Sequence, residues 1–239
     1  MEEKINAIML RGVDYKDNDK MLTLYSIERG LVSASVRGVK KAGAKLNFCA
    51  QPFCFAEYLL SVNQTRATVI GATEIESFYN LRVNLTSFYC ATVICEYLIK
   101  GATEEGNEEL FMLAINALKK LNFSTENGLE VLANFLLQAL NQEGYAISGA
   151  NCFKCGSLAH LGEYAYFDFE RGQLLCCDCS SPTSTRILSV TAEALQNLFS
   201  GQPSECSSLK YLLKFLAYYV NKKLGFTLNS IDELLEVII

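Results

Sequence analysis

Five of the ten cysteines in this 239-residue chain fall between positions 152 and 179. The run is Cys152-Phe153-Lys154-Cys155, then twenty residues, then Cys176-Cys177-Asp178-Cys179. A C-x2-C turn aims two thiolates at one centre, and two such turns complete a tetrahedron around a soft divalent ion such as Zn2+. The spacing between the pairs falls in the window of zinc ribbons, and Gly156 suits the tight turn of a knuckle. Between the pairs, 163–170 followed by Gly172 reads as a strand and a turn.

Three alternatives compete with this ligand set. Replacing Cys176 by Cys177 would give a rarer C-x-C knuckle. His160, the single histidine, finds no vacancy beside four better-placed thiols. A redox C-x-x-C would sit near a βαβ unit, and none is evident. Four thiolates close the coordination sphere, so one structural zinc on Cys152, Cys155, Cys176 and Cys179 is expected. Cys49, Cys54, Cys90, Cys95 and Cys206 lie among apolar neighbours and read as small core residues.

The second chemical feature is charge. The formal net charge is −5, yet residues 1–79 hold ten Lys/Arg against nine Asp/Glu, and 80–239 hold eleven against seventeen. Between Arg29 and Ala56 there is no acid, only Arg29, Arg37, Lys40, Lys41 and Lys45. A local basic stripe is what a polyanion needs, and it can exist on an acidic protein. Arg37, Lys40, Lys41 and Lys45 lie on or just after a strand, where flexible cations can follow a phosphate backbone; Lys16, Lys20 and Arg66 extend the set. A solvated Lys-rich loop is the competing reading. Tyr25, Phe53, Phe55 and Tyr58 are strand aromatics of the kind that fill a small barrel, so no base contact is assigned to them.

Enzyme chemistry has few parts here. Gly38-x4-Gly43 has the glycine spacing of a phosphate loop, but position 44 is Ala and Leu46 follows Lys45, so the Gly-Lys-Ser/Thr end is missing. With one histidine and no paired-carboxylate motif, acid–base catalysis is not expected. No small-molecule substrate is expected either. The N-terminus lacks the pattern of a secretory signal and no apolar run is long enough to span a bilayer, so a cytoplasmic protein without membrane partners is expected.

These features need elements to position them. The first eighty residues change character every eight to ten positions, as short strands do: 4–11, 21–27, 31–36, 53–62 and 68–75. In the third, Val32, Ala34 and Val36 point one way and Ser33, Ser35 and Arg37 the other. Five strands with one longer loop at 38–51 fit a small OB-type barrel, and an SH3-like barrel or half-sandwich would show nearly the same pattern. Beyond residue 76 the period becomes helical. Leu110, Ala114 and Leu118, then Leu129, Leu132 and Leu136, then Leu209, Leu213 and Leu216 mark core-facing stripes. Asn107 before two glutamates marks a helix start, and Gly144 and Gly201 mark helix ends.

The stretch 13–53 carries a resemblance. It contains Asp14-Tyr15-Lys16-Asp17-Asn18-Asp19-Lys20, Leu22-Thr23-Leu24, Val36-Arg37-Gly38-Val39-Lys40-Lys41 and Gln51-Pro52-Phe53. In order and spacing this resembles the N-terminal domain of the RecO family of bacterial recombination mediators. The zinc cluster followed by a helix with Ala194-Leu195 resembles its second half. The resemblance implies an α+β multidomain chain: a five-stranded OB-fold at 1–79, a helical domain at 80–150 and 181–239, and a zinc finger inserted at 151–180. It also implies a non-catalytic role in DNA repair through the RecF pathway. The activities implied are binding of single- and double-stranded DNA, annealing of complementary strands without ATP, and loading of RecA onto coated strands. RecR and the acidic C-terminal tail of the single-stranded DNA-binding protein are the implied partners. Lys210 and Lys214, one helical turn apart beside an apolar stripe, are the candidate residues for that tail. The alternative is a zinc-ribbon adaptor that binds only proteins.

Overall fold

Five strands, β1 (Glu2–Tyr15), β2 (Asp19–Ser26), β3 (Gly30–Val36), β4 (Phe55–Asn63) and β5 (Arg66–Glu76), occupy the start of the chain. They close in the order β1-β2-β3-β5-β4, with β3 and β5 parallel and the other pairs antiparallel. That Greek-key order is the OB barrel and removes the SH3-like and sandwich alternatives. The computed structural model describes residues 1–64, 66–102, 105–147, 151–159 and 162–238.

Closure depends on β1, which serves two neighbours. Residues 2–8 pair with β4 and 7–15 with β2, and the register slips at Leu10, between Met9 and Arg11. One unpaired residue bends a strand and strengthens its twist, which a barrel corner requires. The strand runs four residues beyond the sequence expectation because residues 12–15 are exposed and carry no inward pattern to read. Inside the barrel, Val32, Ala34 and Val36 are buried as the alternation requires, with Leu22, Leu24 and Tyr58 beside them. Ser33 on the opposite face is exposed.

The 38–51 connection, expected as the longest loop of the barrel, is folded into successive turns. Lys41, Ala44, Asn47 and Ala50 each donate a backbone N–H to the carbonyl three residues back, at 3.1–3.2 Å. Val39, Cys49 and Ala50 are buried with the barrel core, and the Tyr58 hydroxyl donates to the Cys49 carbonyl at 2.8 Å. The segment is therefore a chain of tight turns pinned to the barrel, from which the side chains of Lys41 and Lys45 are exposed.

By packing, the chain divides into Met1–Ser124 and Thr125–Ile239. The first unit adds α1 (Leu85–Gly101) and α2 (Glu108–Phe123) to the barrel. Asn107 caps α2 by accepting from the Leu110 N–H at 2.9 Å, with Glu108 and Glu109 at the positive end of the dipole. Two of the aromatics serve this packing: Phe53, in the turn before β4 rather than in the strand, meets Phe88 of α1 at 5.5 Å, and Phe55 of β4 meets Phe111 of α2 at 5.8 Å.

The second unit contains α3 (Gly128–Gln142), a three-stranded sheet of β6 (Tyr164–Asp168), β7 (Gln173–Leu175) and β8 (Thr185–Leu188), then α4 (Ser189–Ser200), α5 (Cys206–Leu224) and α6 (Ser230–Val237). The sheet order is β7-β6-β8, and α5 packs with α3, α4 and α6. The leucine stripes of α3 and α5 are buried. Gly201 ends α4 at φ +67°. Among the described residues, no helix is long and apolar enough to cross a membrane.

Candidate metal centre and nucleic-acid interface

Two knuckles bring the four cysteines together. In the first, Cys152 N–H donates to the Ser157 carbonyl and Gly156 N–H to the Cys152 carbonyl, both at 2.8 Å. The turn requires a left-handed residue, and Gly156 supplies it at φ +75°. In the second, a single 3-10 turn at Cys177–Cys179 returns the chain, with Cys179 N–H donating to Cys176 at 3.2 Å. Lys154 Nζ ties the knuckles by donating to the Cys179 carbonyl at 2.9 Å.

The four sulfurs, of Cys152, Cys155, Cys176 and Cys179, lie within 4.8 Å of one another. Those of Cys155 and Cys176 are 3.7 Å apart. A tetrahedral ion with metal–sulfur bonds of about 2.3 Å needs sulfur separations of about 3.8 Å, so the arrangement fits a four-thiolate metal. Cys177 is exposed and its sulfur faces Asp178, outside the group. His160 lies outside the described residues.

The thiols of this chain fall into two environments. Burial pushes Cys54, Cys90 and Cys95 up to about 12, and Cys49 to about 11, as expected of inert core residues. Within the cluster, Ser157 hydroxyl and backbone donors bring Cys155 down to about 6, while hydrogen bonds from its sulfur neighbours Cys155 and Cys176 push Cys179 up to about 12. Four adjacent thiols resist ionising together, and a bound cation removes that resistance. Cys206 is a correction to the sequence reading. It is exposed at the first position of α5, where no apolar neighbour covers it.

The ribbon is held by aromatics on α5. Phe167 of β6 contacts Phe215 and Tyr219 edge-on at 4.9 and 5.6 Å. The β6–β7 turn passes so close that a Cβ on Gly172 would lie 2.4 Å from the Ala146 carbonyl oxygen and 2.8 Å from the Tyr219 hydroxyl, at φ +67°. Gly172→Ala is therefore expected to destabilise the protein by about 2–4 kcal/mol, from left-handed strain plus overpacking. Chemical denaturation checks this, and a variant as stable as the parent would refute the close approach.

The candidate DNA residues do not form one stripe. Lys16, Arg37 and Lys41 line one depression of about 410 Å3, with Asp17, Asn18, Asp19 and Gly38 completing it. Gly38 N–H donates to Asp19 Oδ1 at 2.8 Å and Lys40 N–H to the Asn18 carbonyl at 3.1 Å, so the β1–β2 turn holds the lysine-bearing segment in place. Lys40 Nζ is paired with Asp14 at 2.6 Å, and the hydrogen bond holds that carboxyl below its usual range. Lys20 pairs with Asp14 across the β1–β2 ladder, and Lys45 is exposed in the same segment. Arg66 starts β5; since Val36 pairs with Val69, it lies four positions along from Arg37, roughly 13 Å. Arg29 is at the opposite end of β3, bonded to Glu3, and belongs to no patch with the others.

An OB barrel with cations on its β3–β4 connection, followed by a helical unit bearing a four-cysteine ribbon, defines the architectural class. Residues 1–78 match the family model described as Recombination protein O N terminal, and 82–231 match Recombination protein O C terminal. The chain is 30% identical to the DNA repair protein RecO of Desulforamulus reducens over 240 residues, covering 94% of this chain and 92% of the relative. It is 27% identical to the protein of that name from Acetivibrio thermocellus, covering 96% and 94%. The chain belongs to the RecO family, a family of DNA repair and recombination.

Proposed function

We propose that this protein is a non-catalytic recombination mediator that binds single- and double-stranded DNA through the barrel. It anneals complementary strands without ATP and helps load RecA onto coated strands. The observation that carries this reading is the convergence of Lys16, Arg37 and Lys41 on one depression, with Lys45 exposed in the same folded segment. A fixed backbone bearing exposed cations suits a phosphate chain read without regard to sequence. Two strands repel through their phosphates, and a surface that neutralises both lowers the cost of pairing them. A fluorescence annealing assay with and without nucleotide tests the reading. A strict ATP requirement, or failure to bind single strands at low salt, would favour the protein-only adaptor instead.

The four-thiolate site holds one structural zinc in this reading. Zinc prefers tetrahedral thiolate ligation, and a closed site leaves no position for substrate. RecR is the proposed protein partner in the same pathway.

The acidic C-terminal tail of the single-stranded DNA-binding protein is proposed to dock between α5 and α6. A groove of about 820 Å3 there is lined by Lys210, Tyr211, Lys214, Leu235 and Ile238, with Asp232 and Glu236 also on its wall. Lys210 Nζ already donates to the Ile238 carbonyl at 2.8 Å, which leaves Lys214 as the cation for a carboxylate. Tyr211 and Leu235 offer the apolar surface for an aromatic side chain. Lys214→Glu is expected to weaken binding of a synthetic acidic tail peptide at least about tenfold, since it replaces attraction by repulsion. Unchanged affinity by calorimetry would remove this groove from the proposal.

A further inference from the structure

The four lysines of α5 do not act together. Lys210 and Lys214 face the groove beside α6, whereas Lys222 and Lys223 lie in the last turn, about 12–20 Å further along the helix axis, beside the ribbon. No acidic residue interrupts Cys206–Leu224. Around the second pair the surface is aromatic. Tyr218 is 51% exposed, and its ring stands edge-on against Phe169 of the ribbon at 5.3 Å and 88°. Lys222 Nζ lies 5.9 Å from the Tyr218 ring centre, and Lys223 Nζ lies 5.5 Å from that of Tyr145, itself 36% exposed.

Lysines at a helix C-terminus have an ordinary use, since they answer the negative end of the dipole. Here Lys223 meets that need and more: it also donates to the Glu170 carbonyl at 3.1 Å and so fixes the β6–β7 turn. Lys222 is exposed and has no ion pair among the described residues. Tyr218 adds nothing to the buried core, yet Phe169 holds its ring upright. A tyrosine kept in one orientation, half in water, under an unpaired ammonium is the element from which base-stacking platforms are made.

We propose that Tyr218 and Lys222, supported by Phe169, form a second single-strand site on the helical unit, which holds the complementary strand while the barrel holds the first. This rests on the annealing reading above and deepens it, because annealing needs two strands and the cations of the barrel account for one. The occupant is single-stranded nucleic acid rather than an acidic peptide: an unpaired cation beside an exposed, oriented ring suits alternating phosphates and bases. The peptide groove, by contrast, is concave and has an aliphatic wall.

The test uses the full-length, metal-loaded protein. A thymidine oligonucleotide carrying 5-iodouracil is photocrosslinked to it, and the modified peptide is mapped. Crosslinks are expected in the peptide containing Tyr218, and they should persist when Lys40, Lys41 and Lys45 are all alanine. Tyr218→Ala with Lys222→Ala should slow annealing about tenfold. Binding of one labelled strand should change less than about threefold, because the barrel still holds it. Tyr218→Phe should anneal like the parent and Tyr218→Leu should not, since leucine still packs on Phe169 but has no ring to stack. No crosslink at this peptide, or equal annealing by Tyr218→Phe and Tyr218→Leu, would overturn the second site while leaving the barrel reading intact. Crosslinking at Tyr218 with none on the barrel would instead overturn the barrel reading and keep this one. Loss of acidic-peptide binding in the double variant with unchanged annealing would assign the surface to a protein partner and end the proposal.

Discussion

Cys152→Ser is expected to strip the metal from the protein and loosen the whole of 151–180, while Cys177→Ser keeps both metal and fold. The difference follows from where each sulfur lies. Cys152 is 2% exposed, within the four-sulfur group, and packs with Leu175 and Cys176; Cys177 is exposed and turned towards Asp178. The ribbon has little else to hold its knuckles. Its local core consists of Cys152, Leu175 and Cys176, with Tyr166 and Cys179 partly buried against it, so three of its five members are the ligands themselves. Metal binding in such modules contributes about 10–16 kcal/mol of apparent folding energy in isolated peptides. Here Phe167 remains anchored on α5, so the loss should be partial and local. A loss of about 3 kcal/mol or more corresponds to roughly 10 °C in the melting midpoint for a unit of this size. Metal analysis and limited proteolysis of 151–180 provide the check. Full occupancy in Cys152→Ser, or metal loss in Cys177→Ser, would overturn the ligand assignment.

That site was legible because its information is local. Two residues three apart define a knuckle, and no distant contact is needed to see it. The same holds for the alternation of Val32, Ala34 and Val36 and for the Asn107 cap, each decided within a turn or a strand. Legibility ends where a partner is remote in sequence. Lys40 meets Asp14 and Arg29 meets Glu3 across separations of 26 residues, and each pairing alters which cations are available to a ligand. The stripe from Arg29 to Lys45 looks continuous in sequence, but β3 carries its two ends to opposite ends of the strand. Residues 12–15 of β1 are exposed and so carry no period. Cys206 stands between Glu205 and Ser207 and is exposed at the start of α5, because the buried stripe of that helix begins only at Leu209. The third ribbon strand, β8, is four residues with none buried, and nothing in its pattern announces it.

Changing Lys40, Lys41 and Lys45 together to alanine is expected to slow strand annealing and to flatten the salt dependence of single-strand binding, with metal content and helical signal unchanged. Each phosphate neutralised on a single strand adds about 0.7 to the slope of log K against log salt, so five contacts give roughly −3.5 and losing three gives a flattening of about 2. The ion pairs refine that figure. Lys41 and Lys45 have no ion pair among the described residues and should each contribute in full. Lys40 must first leave Asp14, so its share is smaller. The double variant at Lys41 and Lys45 should therefore account for about 1.4 of the change. Asp14→Asn should act in the opposite direction. It frees Lys40 and removes a charge beside Lys20, so single-strand affinity should rise and the slope should steepen by up to about 0.7. The two variants together separate specific cations from general charge. If only net charge mattered, Glu57→Gln, whose exposed carboxylate meets Lys4, would tighten binding as much as Asp14→Asn. Titrations at several salt concentrations, with annealing measured on the same samples, decide the matter. Parental annealing by the triple variant, or equal effects of the Asp14 and Glu57 changes, would detach the activity from this segment of the barrel.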